Sequence, residues 1–205
     1  MSNEYELKFL NIDPDTIRNR LLQAGYNKTK PETLMRRQTY HLPKENPLSK
    51  GRWGRVRDEG DKITATVKWY ENPDHPKIDQ VHENEIIAND WNHAVAWIMD
   101  QGFLPSSYQE NTREAWQHPA RQMCEVTIDT WPALNPYIEV EAASKEDVYD
   151  IARTLGFDPA DGFAGGTEII YEKELGIPPH VLNNIEKITF DILPKVMKET
   201  HCLKL

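Results

Sequence analysis

The sequence predicts an α+β fold: a closed antiparallel tunnel of eight strands, built from two β-α-β-β-β halves, with helices packed outside. Three observations predict it. Strand-length segments alternate charged with apolar residues along much of the chain, which gives the sheet one charged face. A unit of Glu-x-Glu strand, capped helix and Gly-aromatic pair occurs three times: Glu4/Glu6 to Gly25-Tyr26, Glu83/Glu85 to Gly102-Phe103, and Glu139/Glu141 to Gly156-Phe157. The first two copies each continue into three more strands, and neither half alone could close its sheet edges. One domain over residues 1–205 follows, with its core at about 4–157 and a C-terminal helical extension at 158–205.

The elements follow in order. Glu4, Glu6 and Lys8 share one face of the first strand, and Tyr5, Leu7 and Phe9 the other. Asp13 caps a helix that opens on Pro14, carries Ile17, Leu21 and Leu22 as its apolar stripe, and stops at Gly25. Residues 34–42 and 52–59 read as strands joined by a polar loop holding Pro43, Pro47 and Gly51. Glu59-Gly60-Asp61 turns the chain into 62–70, where Ile63, Ala65, Val67 and Trp69 alternate with Thr64, Thr66 and Lys68. Pro73 and Pro76 interrupt before a strand at 80–88. Asn89 or Asp90 caps a second helix striped by Trp91, Val95, Ile98 and Met99. Strands at about 108–117, 121–130 and 137–143 lead to a third helix from Ser144, with Val148, Ile151 and Leu155 inward. Residues 159–166 read as loop, and 178–193 as a helix striped by Val181, Ile185, Ile188 and Ile192 that packs outside.

Composition narrows the function classes. The 205 residues carry a net charge of −9, which argues against a general nucleic-acid binder. Residues 28–57 nevertheless hold nine basic side chains against the acids Glu32 and Glu45, which suggests a local anion site. No apolar run approaches the ~20 residues that cross a bilayer, and Met1-Ser2-Asn3-Glu4 has no signal-peptide character. Cys124 and Cys202 make neither a disulfide framework nor a zinc spacing, so a cytoplasmic protein without membrane contact is expected. Gly165-Gly166-Thr167 lacks the lysine of a phosphate loop, the seven histidines show no paired ligand spacing, and no Gly-x-Ser-x-Gly elbow occurs.

The charged face is the informative part. It carries Glu4, Glu6, Lys8, Arg55, Arg57, Lys68, Glu83, Glu85, Arg113, Glu125, Asp129, Glu139 and Glu141. Charges of both signs cannot sit dry without several kcal/mol of cost each, so the expected lumen is hydrated. Carboxylates at i and i+2 offer hard oxygen ligands suited to Mg²⁺ or Mn²⁺, while Lys and Arg grip phosphate oxygens. That combination suits phosphoryl transfer, where positioning and charge neutralisation supply most of the catalysis.

These residues resemble a known family. Glu4-x-Glu6-x-Lys8, Arg55-Val56-Arg57, Thr66-Val67-Lys68, Glu83-Asn84-Glu85, Arg113, the run Asp129 to Tyr137, and Glu139-Val140-Glu141 look, in this order, like the CYTH domain of the triphosphate tunnel metalloenzymes. The resemblance implies a metal-dependent triphosphatase acting on inorganic tripolyphosphate or on an organic triphosphate such as thiamine triphosphate. The alternatives are a class IV-type adenylyl cyclase making cyclic AMP and pyrophosphate, and a non-catalytic polyphosphate- or nucleotide-binding module. The partner is then a small-molecule triphosphate or nucleotide, the cofactor Mg²⁺ or Mn²⁺. By the same resemblance Glu139 and Glu141 hold the metal, and Glu4 and Glu6 a second metal and the attacking water. Lys8, Arg55, Arg57, Lys68 and Arg113 clamp phosphate oxygens, and Asp129 supports a metal or a water. Glu83, Glu85 and Glu125 belong to the tunnel without a settled role. The chain departs from the pattern at Gln38-Thr39-Tyr40, where many members place Asp first, and at Ile170-Tyr171, where a Ser-Tyr pair bearing on the accepted nucleotide is common.

Overall fold

The computed structural model describes residues 5–70, 81–121 and 123–193. Along the chain run β1 (Tyr5–Phe9), α1 (Pro14–Gln23), β2 (Asn27–His41), β3 (Arg52–Asp58), β4 (Ile63–Tyr70), β5 (Val81–Ala88) and α2 (Trp91–Met99). There follow β6 (Leu104–Gln117), β7 (Cys124–Thr130), β8 (Tyr137–Ala142), α3 (Lys145–Thr154), a 3₁₀ turn (Pro159–Asp161), α4 (Thr167–Leu175), α5 (Pro179–Leu182) and β9 (Lys187–Ile188). They form two compact units, one of Met1–Thr33 with Thr112–Gly166, the other of Leu34–Asn111 with Thr167–Leu205.

In the first unit β1, β8, β7 and the C-terminal half of β6 pair antiparallel in that order. Alternation gives this sheet two unlike faces. Phe9, Val126, Ile128, Ile138 and Val140 form the apolar face, covered by Ile17 and Leu21 of α1 and by Val148, Ile151 and Leu155 of α3. Leu22, expected in the α1 stripe, is 60% exposed instead. The opposite face carries the charged residues. β1 ends this ladder, and its outer edge is bridged by the loop after the 3₁₀ turn: Lys8 N–H donates to the Phe163 carbonyl at 2.8 Å, and Phe163 N–H donates to the Lys8 carbonyl at 3.2 Å.

The second unit contains the order β6, β2, β3, β4, β5, with β5 at the end. Its apolar face, with Tyr40, Val56, Ala65 and Val67, is covered by Ala94 and Ile98 of α2, while Met99 is exposed. The α+β antiparallel class and the outward helices thus stand as expected, and closure is only approximated, since each unit's ladder has an end strand.

The threefold repeat has a physical basis. Asp13, Asp90 and Ser144 accept bonds from the third residue of their helices. At the other ends Gly25, Gly102 and Gly156 take positive φ of 85°, 85° and 83°. The next N–H then reaches back, Tyr26 to Leu21 O and Phe157 to Ala152 O, both at 2.9 Å. The aromatic ring is thereby turned inward: Tyr26 and Phe103 are buried, and Phe157 stacks on Phe9 at 4.6 Å.

The C-terminal expectation is corrected. Residues 178–193 are not one helix: a single helical turn at α5 is followed by β9, which lies parallel to β6 at Tyr108 and Gln109. Backbone bonding decides this, because Tyr108 N–H donates to Glu186 O at 2.8 Å and Ser107 Oγ to Ile185 O at 2.7 Å. Val181 is exposed while Leu182 and Ile188 are buried, so the supposed stripe does not share a face. Residues 167–175, unassigned from sequence, form α4. β2 and β6 also begin earlier than expected, at Asn27 and Leu104, where exposed polar residues hide the strand alternation.

Candidate active site

Strand register builds the site in the first unit. Glu6 stands opposite Glu141, and Glu141 opposite Glu125, so three adjacent strands present three carboxylates side by side. Like charges in register destabilise a sheet unless a counter-charge intervenes. Two residue pairs further along, on the same face, Lys8 stands opposite Glu139 and Glu139 opposite Thr127. The buried Lys8 ammonium reaches Glu6 Oε1 at 2.6 Å and Glu139 Oε1 at 3.1 Å. The other oxygen of Glu139 takes Arg113 Nη2 at 3.0 Å. Arg113 is itself fixed bidentately by the fully buried Asp129, at 2.8 Å through both Nε and Nη2, and Thr127 Oγ1 donates to Asp129 Oδ2 at 2.9 Å.

Two carboxyls in this network titrate in opposite directions. Burial and the neighbouring Glu139 charge push Glu6 up to about 8, so at neutral pH Glu6 keeps a proton and shares it with Glu139. Burial opposes the Glu139 charge too, but the Lys8 and Arg113 cations override it and hold Glu139 well below the usual carboxylate range. The two glutamates in turn raise Lys8 against its own burial.

Glu6, Glu139 and Glu141 each offer an oxygen, all within 4.8 Å of one another. Hard oxygen donors converging at that spacing fit a divalent cation of the Mg²⁺ or Mn²⁺ kind. Glu125 is beside Glu141 in register and accepts from Gln117 Nε2 at 3.2 Å. Asp129 is committed to Arg113 rather than to this triplet. Glu4 lies outside the described residues. A cavity of about 580 Å³ lies at the Glu141–Glu125 end of the row, bounded also by Asn27, Gln117 and His118.

The second unit carries its own charged face. Lys68 Nζ meets Glu83 Oε2 at 2.8 Å, directly opposite in register. Burial favours the protonated form of Glu83, but the Lys68 bond and charge outweigh it and lower its pKa. Arg55 lies 4.0 Å from Glu85, whose Oε2 also accepts from Thr66 Oγ1 at 2.7 Å. Arg57 donates to Glu59 Oε1 through Nε at 2.9 Å and Nη2 at 2.6 Å. Sequence reasoning missed Glu59 as the holder of Arg57, Thr127 as the holder of Asp129, and Arg37, which stands opposite Arg57. The period-2 spacing of Arg37 and Thr39 was the available signal. Gln38, by contrast, pairs with the buried Val56 on the apolar side, so the missing carboxylate is not taken from the charged face. Ile170 and Tyr171 are both fully buried and act in packing. Among the described residues no helix is long and apolar enough to cross a membrane.

Comparison with known proteins agrees with this picture. No curated protein matches the chain. A candidate adenylate cyclase from Vibrio parahaemolyticus superposes with a TM-score of 0.67 at 14% identity, over 83% of this chain and 98% of its own. A Pyrococcus horikoshii protein superposes at 0.59 and 21% identity, covering 83% and 99%. A Hippeastrum protein, an adenylyl cyclase candidate described as having a dominant triphosphatase activity, superposes at 0.53 and 15% identity, covering 84% and 95%. At these identities the likeness concerns the fold. The CYTH domain model matches residues 2–166, across the first three helices and all strands from β1 to β8, and the chain belongs to the CYTH domain family.

Proposed function

We propose that the protein is a Mg²⁺- or Mn²⁺-dependent triphosphatase that hydrolyses a linear triphosphate. The observation that carries this reading is the Glu6/Glu139/Glu141 triplet bordered by the buried Lys8 and by Arg113. Glu139 and Glu141 hold the metal, with Glu4 and Glu6 serving a second metal and the water to be activated. A bound divalent cation supplies neutralisation of phosphoryl charge and a water acidified toward neutral pH. Lys8 and Arg113, already aimed at Glu139, exchange part of that contact for phosphate oxygens. Asp129 keeps the Arg113 fork in plane for bidentate contact. Arg55, Arg57 and Lys68 are phosphate ligands of the same reaction, with Glu83, Glu85 and Glu59 as their resting partners. The family match over residues 2–166 supports assigning both sets to one functional domain, which we extend to residues 1–205.

Water is the nucleophile in this reading, because hydrolysis requires only an in-line triphosphate and an activated water. The cavity beside Glu125 and Glu141 favours a second reading in which the triphosphate bears an organic group, as in thiamine triphosphate or ATP. Incubation with tripolyphosphate, thiamine triphosphate and ATP, in Mg²⁺ and in Mn²⁺, separates these readings. Orthophosphate release from tripolyphosphate should exceed cyclic AMP formation from ATP under the same metal. Abundant cyclic AMP with negligible orthophosphate would make the protein a cyclase, and tight binding without any product would make it a binding module.

A further inference from the structure

The second unit's charged face resolves into rows set by register. One row runs Thr39, Arg55, Thr66, Glu85 across β2 to β5, and the next runs Arg37, Arg57, Thr64, Ile87. The two rows are alike at β3 and β4, each with an arginine on β3 and a threonine on β4. They differ at β2, Thr39 against Arg37, and at β5. Thr66 donates to Glu85, whereas Thr64 faces an isoleucine that can accept nothing. Thr64 is fully buried, and its Oγ1 has no hydrogen-bond partner among the described residues. A buried hydroxyl in that condition costs about 1–3 kcal/mol and calls for an explanation.

The same row sets two guanidinium side chains directly opposite each other, Arg37 on β2 and Arg57 on β3. Like charges opposed in a ladder are destabilising unless something anionic lies across them. Each is held in place: Arg57 by Glu59, and Arg37 through Nη2 to the Oδ1 of fully buried Asn111. The row is also open at its end, because Ile87 is 73% exposed. An opposed arginine pair, an unpartnered hydroxyl next to it and an open end together describe an oxyanion subsite.

We propose that Arg37, Arg57 and Thr64 form a phosphoryl subsite, in which Thr64 Oγ1 donates to one oxygen and the two guanidiniums to the others. This rests on the functional reading above and deepens it, adding Arg37 and Thr64 to the residues that hold the triphosphate. In the ligand-free protein the Thr64 hydroxyl has no partner among the described residues, and the bound phosphoryl group supplies one.

The test separates a ligand-binding role from a structural one. The full-length, metal-free protein is titrated calorimetrically with tripolyphosphate, and its melting is followed without ligand, for wild type, Thr64→Val and Arg37→Gln. Valine keeps the shape of threonine and removes only the hydroxyl. Tripolyphosphate binding should weaken roughly tenfold in Thr64→Val and by at least as much in Arg37→Gln. The ligand-free melting temperature of Thr64→Val should stay level or rise, since an unsatisfied buried hydroxyl has gone. Binding within twofold of wild type in both variants, with wild-type hydrolysis intact, overturns this proposal alone. A lowered melting temperature for Thr64→Val also overturns it, because the hydroxyl would then serve the fold. Absence of tripolyphosphate binding by the metal-free wild-type protein overturns the subsite, and absence of both binding and hydrolysis in Mg²⁺ and in Mn²⁺ overturns the functional reading with it.

Discussion

Glu6 holds a proton at neutral pH because it is buried beside the charged Glu139, with a pKa near 8 in place of 4.5. A metal ligated by Glu6 must therefore displace that proton. Divalent-cation affinity should fall about tenfold for each pH unit below 8 and level off above it. Calorimetry of Mn²⁺ binding at pH 7 in buffers of different ionisation enthalpy should report close to one proton released per metal. A pH-independent affinity between 6 and 8 would remove Glu6 from the ligand set. The sign for metal-free stability is the reverse of the usual carboxylate case. The folded pKa lies above the unfolded one, so the contribution of Glu6 is complete below about 4.5 and is lost as pH rises through about 8. Two truncations then separate the roles of the charges. Glu141→Ala should weaken metal binding roughly tenfold or more, whereas Arg57→Ala should weaken tripolyphosphate binding and leave metal affinity near wild type, both by titration. Wild-type turnover in both variants would mean that the site lies elsewhere.

Elements place these residues, and one of them depends on a close approach. Gly162 follows the 3₁₀ turn, where an added Cβ would lie 2.8 Å from Phe9 Cζ and 2.9 Å from Cε1. The next residue, Phe163, is bonded to the Lys8 backbone. Gly162→Ala should therefore cost about 1–3 kcal/mol by displacing the Phe9 ring or the loop, read by urea unfolding, and should lower turnover through Lys8. Unchanged stability would show that the loop yields freely. The elements that sequence made legible are those whose alternation faces a core on one side: β1, β3, β4, β5, β7 and β8, and the capped helices. β9 was illegible because its two residues are set by backbone pairing to β6, which leaves no side-chain period to read. The charged residues were legible as a face, but their division was not. Arg113 and Asp129 are separate in sequence, and only the β6–β7 register makes them a bidentate pair. Arg37 was missed for the same reason, since its significance comes from standing opposite Arg57.

For the molecule as a whole, the family match ends at Gly166, yet the second unit is completed by residues beyond it. Ile170, Tyr171, Leu182, Ile188 and Leu193 are buried, and β9 adds to β6. A chain ending at Gly166 should consequently be insoluble or melt well below the full-length protein, as judged by sedimentation and calorimetry. A truncated chain of unchanged melting temperature would make the C-terminal segment dispensable. The parallel bond between β9 and β6 also imposes a timetable on biosynthesis. At about 5–20 residues per second, Tyr108 and Gln109 leave the ribosome seconds before Lys187 and Ile188 exist. During that interval the edge of β6 offers unpaired backbone groups to whatever strand is nearest. Nascent chains stalled after β6 has emerged and before β9 has been made are therefore the species in which chaperone engagement or cross-pairing between neighbouring polysomal chains should concentrate.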